Sequence, residues 1–136
     1  MSEVWTGGCQ CGAIRYEARV RPTAPAYCHC RMCQRVSGAP VMAFADVPVD
    51  QFAYVRGEPA IYRSSPIAER RFCPQCGTSL EYRLADAAQV VEVAIASLDR
   101  AAELAPQAHM WTESRLPWFE TTDTAPRHRR EPGVSE

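Results

Sequence analysis

The chain has 136 residues, 46% of them hydrophobic, and a formal net charge of -1. That length suits one domain, which buries about two-thirds of its unfolded surface and can fold without metals or disulfides. The balanced charge gives no basic surface for nucleic acid or an anionic membrane, and no apolar run approaches the roughly 20 residues that span a bilayer.

The first residues, MSEVWTGG, carry neither a basic n-region nor an apolar h-region, so a signal peptide is not expected and the reading is a cytoplasmic protein. Partial alternation of apolar and polar residues predicts short strands at 13–19, 41–45, 52–56, 60–63, 78–83 and 90–95. Turn residues separate them, among them Pro22, Pro25, Gly38, Pro40, Pro48, Gly57, Pro59 and Pro66. The most apolar run, VVEVAI at 90–95, is expected to be a central strand. Residues 30–37, CRMCQRVS, read as two turns of helix ending at Gly38. Residues 97–104, SLDRAAEL, read as a second short helix with Ser97 as its N-cap. The pattern predicts a mainly β domain, a sandwich or barrel-like sheet pair, over residues 1–120. Residues 121–136, polar and Arg-rich, are expected to be a frayed tail.

Seven cysteines fall into three clusters: Cys9 and Cys11 in GGCQCG, Cys28, Cys30 and Cys33 in YCHCRMCQ, and Cys73 and Cys76 in FCPQCGT. In a reducing compartment such clusters are expected to be metal ligands or catalytic groups, and an odd count argues against a full disulfide framework. Alternate residues of an extended segment point the same way, so Cys9 and Cys11 can face one ion. Cys73 and Cys76 form a C-P-x-C-G knuckle, in which Pro74 stiffens the turn and Gly77 permits a positive φ. Together the two pairs make a closed four-cysteine site, the form of a structural zinc.

A strand running into a helix at Cys30 would put the sulfurs of Cys28, Cys30 and Cys33 on one side, because i and i+3 are neighbours on a helix. Three ligands with an open position are the form of a catalytic zinc. His29, between two of them, is expected to point away. If it were instead the fourth ligand, the site would be closed and structural. His109 and His128 are more distant options. None of the 15 basic residues is a lysine, so a side-chain Schiff base with a carbonyl substrate is closed to this chain.

The motifs GGCQCGAIRYE, YCHCRMCQRVSGAP, FCPQCGTSL and HMWTESRLPWF resemble the glutathione-dependent formaldehyde-activating family, which also includes centromere-protein-V-like proteins. The resemblance spans residues 7–119. It implies a β-tent fold, two antiparallel sheets with short helices, clipped by a four-cysteine zinc site. It implies two zinc ions per chain: a structural one on Cys9, Cys11, Cys73 and Cys76, and a catalytic one on Cys28, Cys30 and Cys33. The implied activity is formation of S-hydroxymethylglutathione from glutathione and formaldehyde, a carbon–sulfur lyase class. Zinc at an open site would bind the thiol and deprotonate it.

Arg31, Arg35, Arg70 and Arg71 flank the clusters and either hold glutathione carboxylates or offset the charge of the zinc–thiolate groups, the second being preferred. Trp111, Pro117, Trp118 and Phe119 are candidates to line a cleft, although Trp111 is expected in the core. The competing functions are a non-catalytic zinc module or glutathione carrier, and a thiol redox or metal-storage protein. The fourth position on the Cys28, Cys30 and Cys33 metal discriminates them.

Overall fold

A computed structural model describes residues 3–131, which form two β-sheets and one α-helix. In chain order the strands are β1 (Trp5–Gly8), β2 (Arg15–Ala18), β3 (Thr23–Cys28), β4 (Met42–Pro48), β5 (Phe52–Arg56), β6 (Ala60–Arg63), β7 (Ala68–Phe72), β8 (Ser79–Leu84), β9 (Val90–Ala94) and β10 (His109–Met110), with helix α1 (Arg31–Ser37) between β3 and β4. The small sheet has the order β1-β2-β5, and the large one β10-β3-β4-β9-β8-β7-β6. All pairings are antiparallel except that of β10 with β3, which departs from the two wholly antiparallel sheets expected. Strand β9 is fourth of seven, the central place that its apolar run predicts. Among the described residues no helix is long and apolar enough to cross a membrane.

Period-two alternation divides the large sheet's side chains between two environments. Ala45 and Val47 of β4 and Val91 and Val93 of β9 join Trp5, Tyr16 and Ala18 of the small sheet in the main core. Met42 and Phe44 of β4 and Ala94 of β9 pack instead with Cys33 of α1 in a second cluster. One extra residue in β8, where Arg71 pairs with Glu81 and Phe72 with Ser79, leaves both Leu80 and Glu81 buried. Glu81 accepts from Tyr54 of the small sheet at 2.5 Å and from Arg83 at 2.5 and 2.8 Å, so its buried charge is paired and links the sheets.

Three sequence expectations are corrected. Strands β1, β7 and β10 are absent from the predicted set, and β3, expected only as an extended run into Cys30, begins at Thr23. The helix expected at 97–104 is replaced by two 3-10 turns, Ile95–Ser97 and Ala101–Glu103. Ser97 does not cap: its hydroxyl donates to the Ala94 carbonyl at 2.7 Å and pairs with the Tyr16 hydroxyl at 2.6 Å. The segment expected to fray from residue 121 is docked as far as Glu131: Arg127 bridges to His109 in parallel, and the His128 N–H donates to the His109 carbonyl at 2.8 Å. Hydrogen bonds to a strand edge, not apolar burial, hold it there. Residues 132–136 lie outside the described residues.

Candidate metal centres and reaction cavity

The β1–β2 hairpin carries Cys9 and Cys11, and the β7–β8 hairpin carries Cys73 and Cys76. The sulfurs of all four lie within 4.8 Å of one another. Local backbone explains the placement. A side chain at Gly8 would put its Cβ 2.3 Å from the Ile14 carbonyl, so only glycine lets the hairpin close this tightly. Gly77, at φ 82, turns the knuckle and donates to the Cys73 carbonyl at 2.9 Å. Backbone N–H groups aim at the sulfurs: Ile14 at Cys9 (3.2 Å), and Gln75 and Cys76 at Cys73 (3.4 and 3.5 Å). Such donors suit thiolates. Four sulfurs in a tetrahedron with bonds of about 2.3 Å lie about 3.8 Å apart. Cys9 and Cys11 are 3.6 Å apart and Cys11 and Cys73 3.7 Å, so the donor set fits a zinc-sized ion.

The second cluster is local. Strand β3 ends at Cys28 and α1 begins at Arg31, so Cys30 is the N-cap, and its sulfur accepts from the Cys33 N–H at 3.3 Å. Gly38 ends the helix at φ 67, as its sequence position predicts. This junction gathers the sulfurs of Cys28, Cys30 and Cys33 within 4.8 Å of one another, with no fourth donor joining them among the described residues. Hydrogen bonds from Cys28 and Cys33 favour the thiolate of Cys30, and the same contact with Cys30 pushes the Cys28 thiol up. All seven cysteines are free.

The His29 side chain joins neither cluster. It is buried, and its Nε2 lies 2.8 Å from His109 Nδ1. His109 Nε2 in turn lies 3.0 Å from the Asp123 carboxylate, which can only accept. With a neutral His109 ring, Nε2 donates to Asp123 and Nδ1 accepts from His29, while His29 Nδ1 is buried without a partner among the described residues. His128 is held in the docked segment through its backbone.

The three sulfurs of the trio face a cavity of about 560 Å³, bounded also by Phe44, Arg70, Tyr82 and Trp111. Trp111 thus lines the cavity, which corrects its expected place in the core. Trp118 is 74% exposed, and Phe119 packs by His29 with ring centroids 6.2 Å apart. Of the four flanking arginines, Arg70 reaches the trio: its Nη2 donates to Cys33 Sγ at 3.7 Å. Arg71 pairs with Glu69 at 2.7 Å and Glu81 at 3.5 Å, Arg31 bonds Gln34, and Arg35 is exposed.

Sequence reasoning missed the acidic wall. Asp46 and Glu92, cross-strand partners on β4 and β9, both line the cavity. Burial, then the Asp46 charge, pushes the Glu92 carboxyl up to about 7. A polar residue at alternate positions of two apolar strands was the signal available.

The family model described as "Glutathione-dependent formaldehyde-activating enzyme" matches residues 4–114. An uncharacterized lyase of Schizosaccharomyces pombe is 33% identical over 78 residues, covering 57% of this chain and 56% of that protein. The match thus spans little more than half the length of that curated relative. A crystal structure of a Rhodobacter sphaeroides protein, 19% identical, superposes over 90% of this chain and 98% of that one with a TM-score of 0.58, a likeness of fold.

Proposed function

The chain belongs to the glutathione-dependent formaldehyde-activating enzyme family, and from that premise we propose that it is a two-zinc enzyme joining a thiol to an aldehyde, or parting them. The family and the lyase-named relative support a lyase-type function. Glutathione and formaldehyde are the substrates that the family description suggests. All-thiolate donor sets suit zinc. In this reading Cys9, Cys11, Cys73 and Cys76 hold a structural ion, while Cys28, Cys30 and Cys33 hold a catalytic one. Seven free thiols suit a reducing, cytoplasmic setting.

One observation carries the reading: a three-sulfur group without a fourth protein donor faces a cavity large enough for a small peptide thiol. Zinc bound there would take the substrate sulfur and favour loss of its proton. The chain's own part is positioning. Cys30 ties the sulfurs to the start of α1, Phe44 gives the cavity an apolar wall, and Met42 packs with Phe44 and Cys33 behind it. His29, held by His109, stays out of the coordination shell.

The test is metal analysis of freshly purified protein, calorimetry with glutathione, and formaldehyde consumption against the uncatalysed reaction. Two zinc ions per chain, glutathione binding that is lost in Cys30→Ser, and acceleration over background are expected. Zinc-loaded protein that neither binds glutathione nor accelerates adduct formation would refute these substrates.

A further inference from the structure

Two guanidinium groups line the three-cysteine cavity, those of Arg31 and Arg70. Arg31 is exposed and engaged with Gln34. Arg70 is only 5% exposed. Its guanidinium lies 5.0 Å from the Tyr82 ring centroid, and its one hydrogen bond is to Cys33 Sγ. It forms no direct ion pair among the described residues, although its charge acts at longer range on the Glu92 carboxyl that lines the same cavity.

That isolation needs a physical reason. A buried guanidinium keeps its charge, and an unpaired buried charge is costly. Here the nearest compensating charge is the sulfur cluster, with Glu92 as a more distant partner. One of the five N–H donors is spent on Cys33, which leaves most of a planar fork beside the sulfurs and on the cavity wall. Stacking on Tyr82 fixes the plane of that fork.

We propose that Arg70 is a catalytic residue, whose guanidinium holds the aldehyde oxygen while a thiolate adds to the carbonyl carbon. The proposal rests on the reading of the trio as the reaction centre. In the step, the substrate sulfur forms a bond to the carbonyl carbon and the π pair moves onto oxygen. The alkoxide then takes one proton from solvent, matching the proton that the thiol gave up on binding. Nothing is oxidised or reduced. The reverse step parts the adduct with the same atoms.

Proximity selects the oxygen over the carboxylates of a peptide thiol. In the adduct the oxygen is two bonds from the sulfur, whereas each carboxylate of glutathione lies several bonds further out. A donor in contact with a ligand sulfur therefore reaches the reacting oxygen first. Charge points the same way. Addition creates a full negative charge on oxygen beside an already anionic sulfur group, and a preorganised, largely buried cation stabilises such a charge. With no lysine in the chain, Arg70 is the enclosed cation available.

The test uses zinc-loaded full-length protein with Arg70→Gln and Arg70→Lys. Loss of one oxyanion donor typically lowers kcat about 10²- to 10³-fold. That loss is expected for Arg70→Gln, with KM for the thiol little changed. Arg70→Lys, which keeps charge but not the fork, should fall between. Added guanidinium should partly restore Arg70→Gln. A second readout needs no turnover. Calorimetry should show wild type preferring mercaptoacetate, whose oxygens lie near its sulfur, to ethanethiol, and Arg70→Gln should erase that preference. Activity of Arg70→Gln within threefold of wild type would overturn the proposal while leaving the reaction centre intact. Loss of trio zinc, or equal weakening for both thiols, would also overturn it, by assigning Arg70 to metal retention. If Arg70→Gln does not fold, a fully active Arg70→Lys with no mercaptoacetate preference refutes it. An inactive wild type would remove the reaction centre itself, and this proposal with it.

Discussion

The two cysteine clusters use the same ligand atom for opposite ends. The four-cysteine group joins hairpins that are more than sixty residues apart in sequence, one from each sheet, and the sulfurs of Cys9 and Cys73 accept from backbone N–H groups of their own turns. The three-cysteine group lies within six residues at a strand–helix junction and faces a cavity whose wall holds a buried guanidinium. Long-range ligation closes a large loop and couples metal to folding. Local ligation adds little to the fold and leaves its coordination free for chemistry. In the proposed reading, sequence separation between ligands, more than their number, would divide the labour.

The largest expected effect would break or uphold that division directly. Cys73 is fully buried at the junction of the sheets. If the four-cysteine group holds the structural zinc proposed for it, Cys73→Ser should lower Tm far more than Cys33→Ser, because it uncouples metal binding from folding. Cys33→Ser should fold, with a Tm loss of no more than about 10 °C from one lost ligand and a small packing defect. Thermal melts of both variants, each with metal content measured, decide the matter. Equal losses of Tm would show that the trio also holds the fold together.

Much of this contrast is legible in the sequence, because ligand spacing is a local code. C-x-C, C-x-C-x-x-C and C-P-x-C-G each specify a turn, and Gly77 and Gly38 occupy positive φ where such turns need it. What escaped was whatever depends on distant partners. Strand β1, WTGG, lacks an alternating pattern, and Gly7 is glycine because a Cβ there would meet the Tyr16 ring at 2.5 Å. Strand β3 contains Pro25, and it is tolerated where the register with β4 shifts between Thr23 and Ala26. Strand β7, AERRF, looks solvated, but Arg70 turns to the cavity and Arg71 to the buried Glu81. Only the tertiary fold supplies those partners.

A medium effect sharpens the comparison from the cavity side. The Glu92 carboxyl, facing Asp46, Arg70, Tyr82 and Glu131, titrates near 7 against an ordinary value of 4.5. Its folded-state pKa is raised, so the folded protein holds this proton more tightly than the unfolded chain does. Stability must then fall as pH rises from about 4.5 to about 7, by on the order of 3 kcal/mol from this group. Glu92→Gln removes that dependence. It should match wild type below pH 4.5 and exceed it by several °C in Tm at pH 8. Melts of the two proteins side by side cancel the pH dependence of metal binding that they share. An unchanged difference across that range would mean that the acidic wall is solvated and the cavity is open to bulk water.

The smallest expected effect separates the trio from its neighbours. Asp123 tethers the C-terminal segment to His109, and through it to His29 between two trio cysteines. A charge-assisted hydrogen bond is worth about 1.5–3 kcal/mol when buried. The Asp123 side chain is open to solvent, which screens the pair, so Asp123→Ala should cost clearly less global stability than that. The loss should be local. The amide of His109 donates to Pro126, that of His128 to His109, and that of Thr112 to His128. All three should lose hydrogen-exchange protection together, because they clip one segment to β10. Zinc at the trio should be unchanged, since the histidine chain meets the cysteines through backbone and not through a ligand atom. Loss of trio zinc in Asp123→Ala would instead make the C-terminal segment part of the second metal centre, and its ligation would no longer be local.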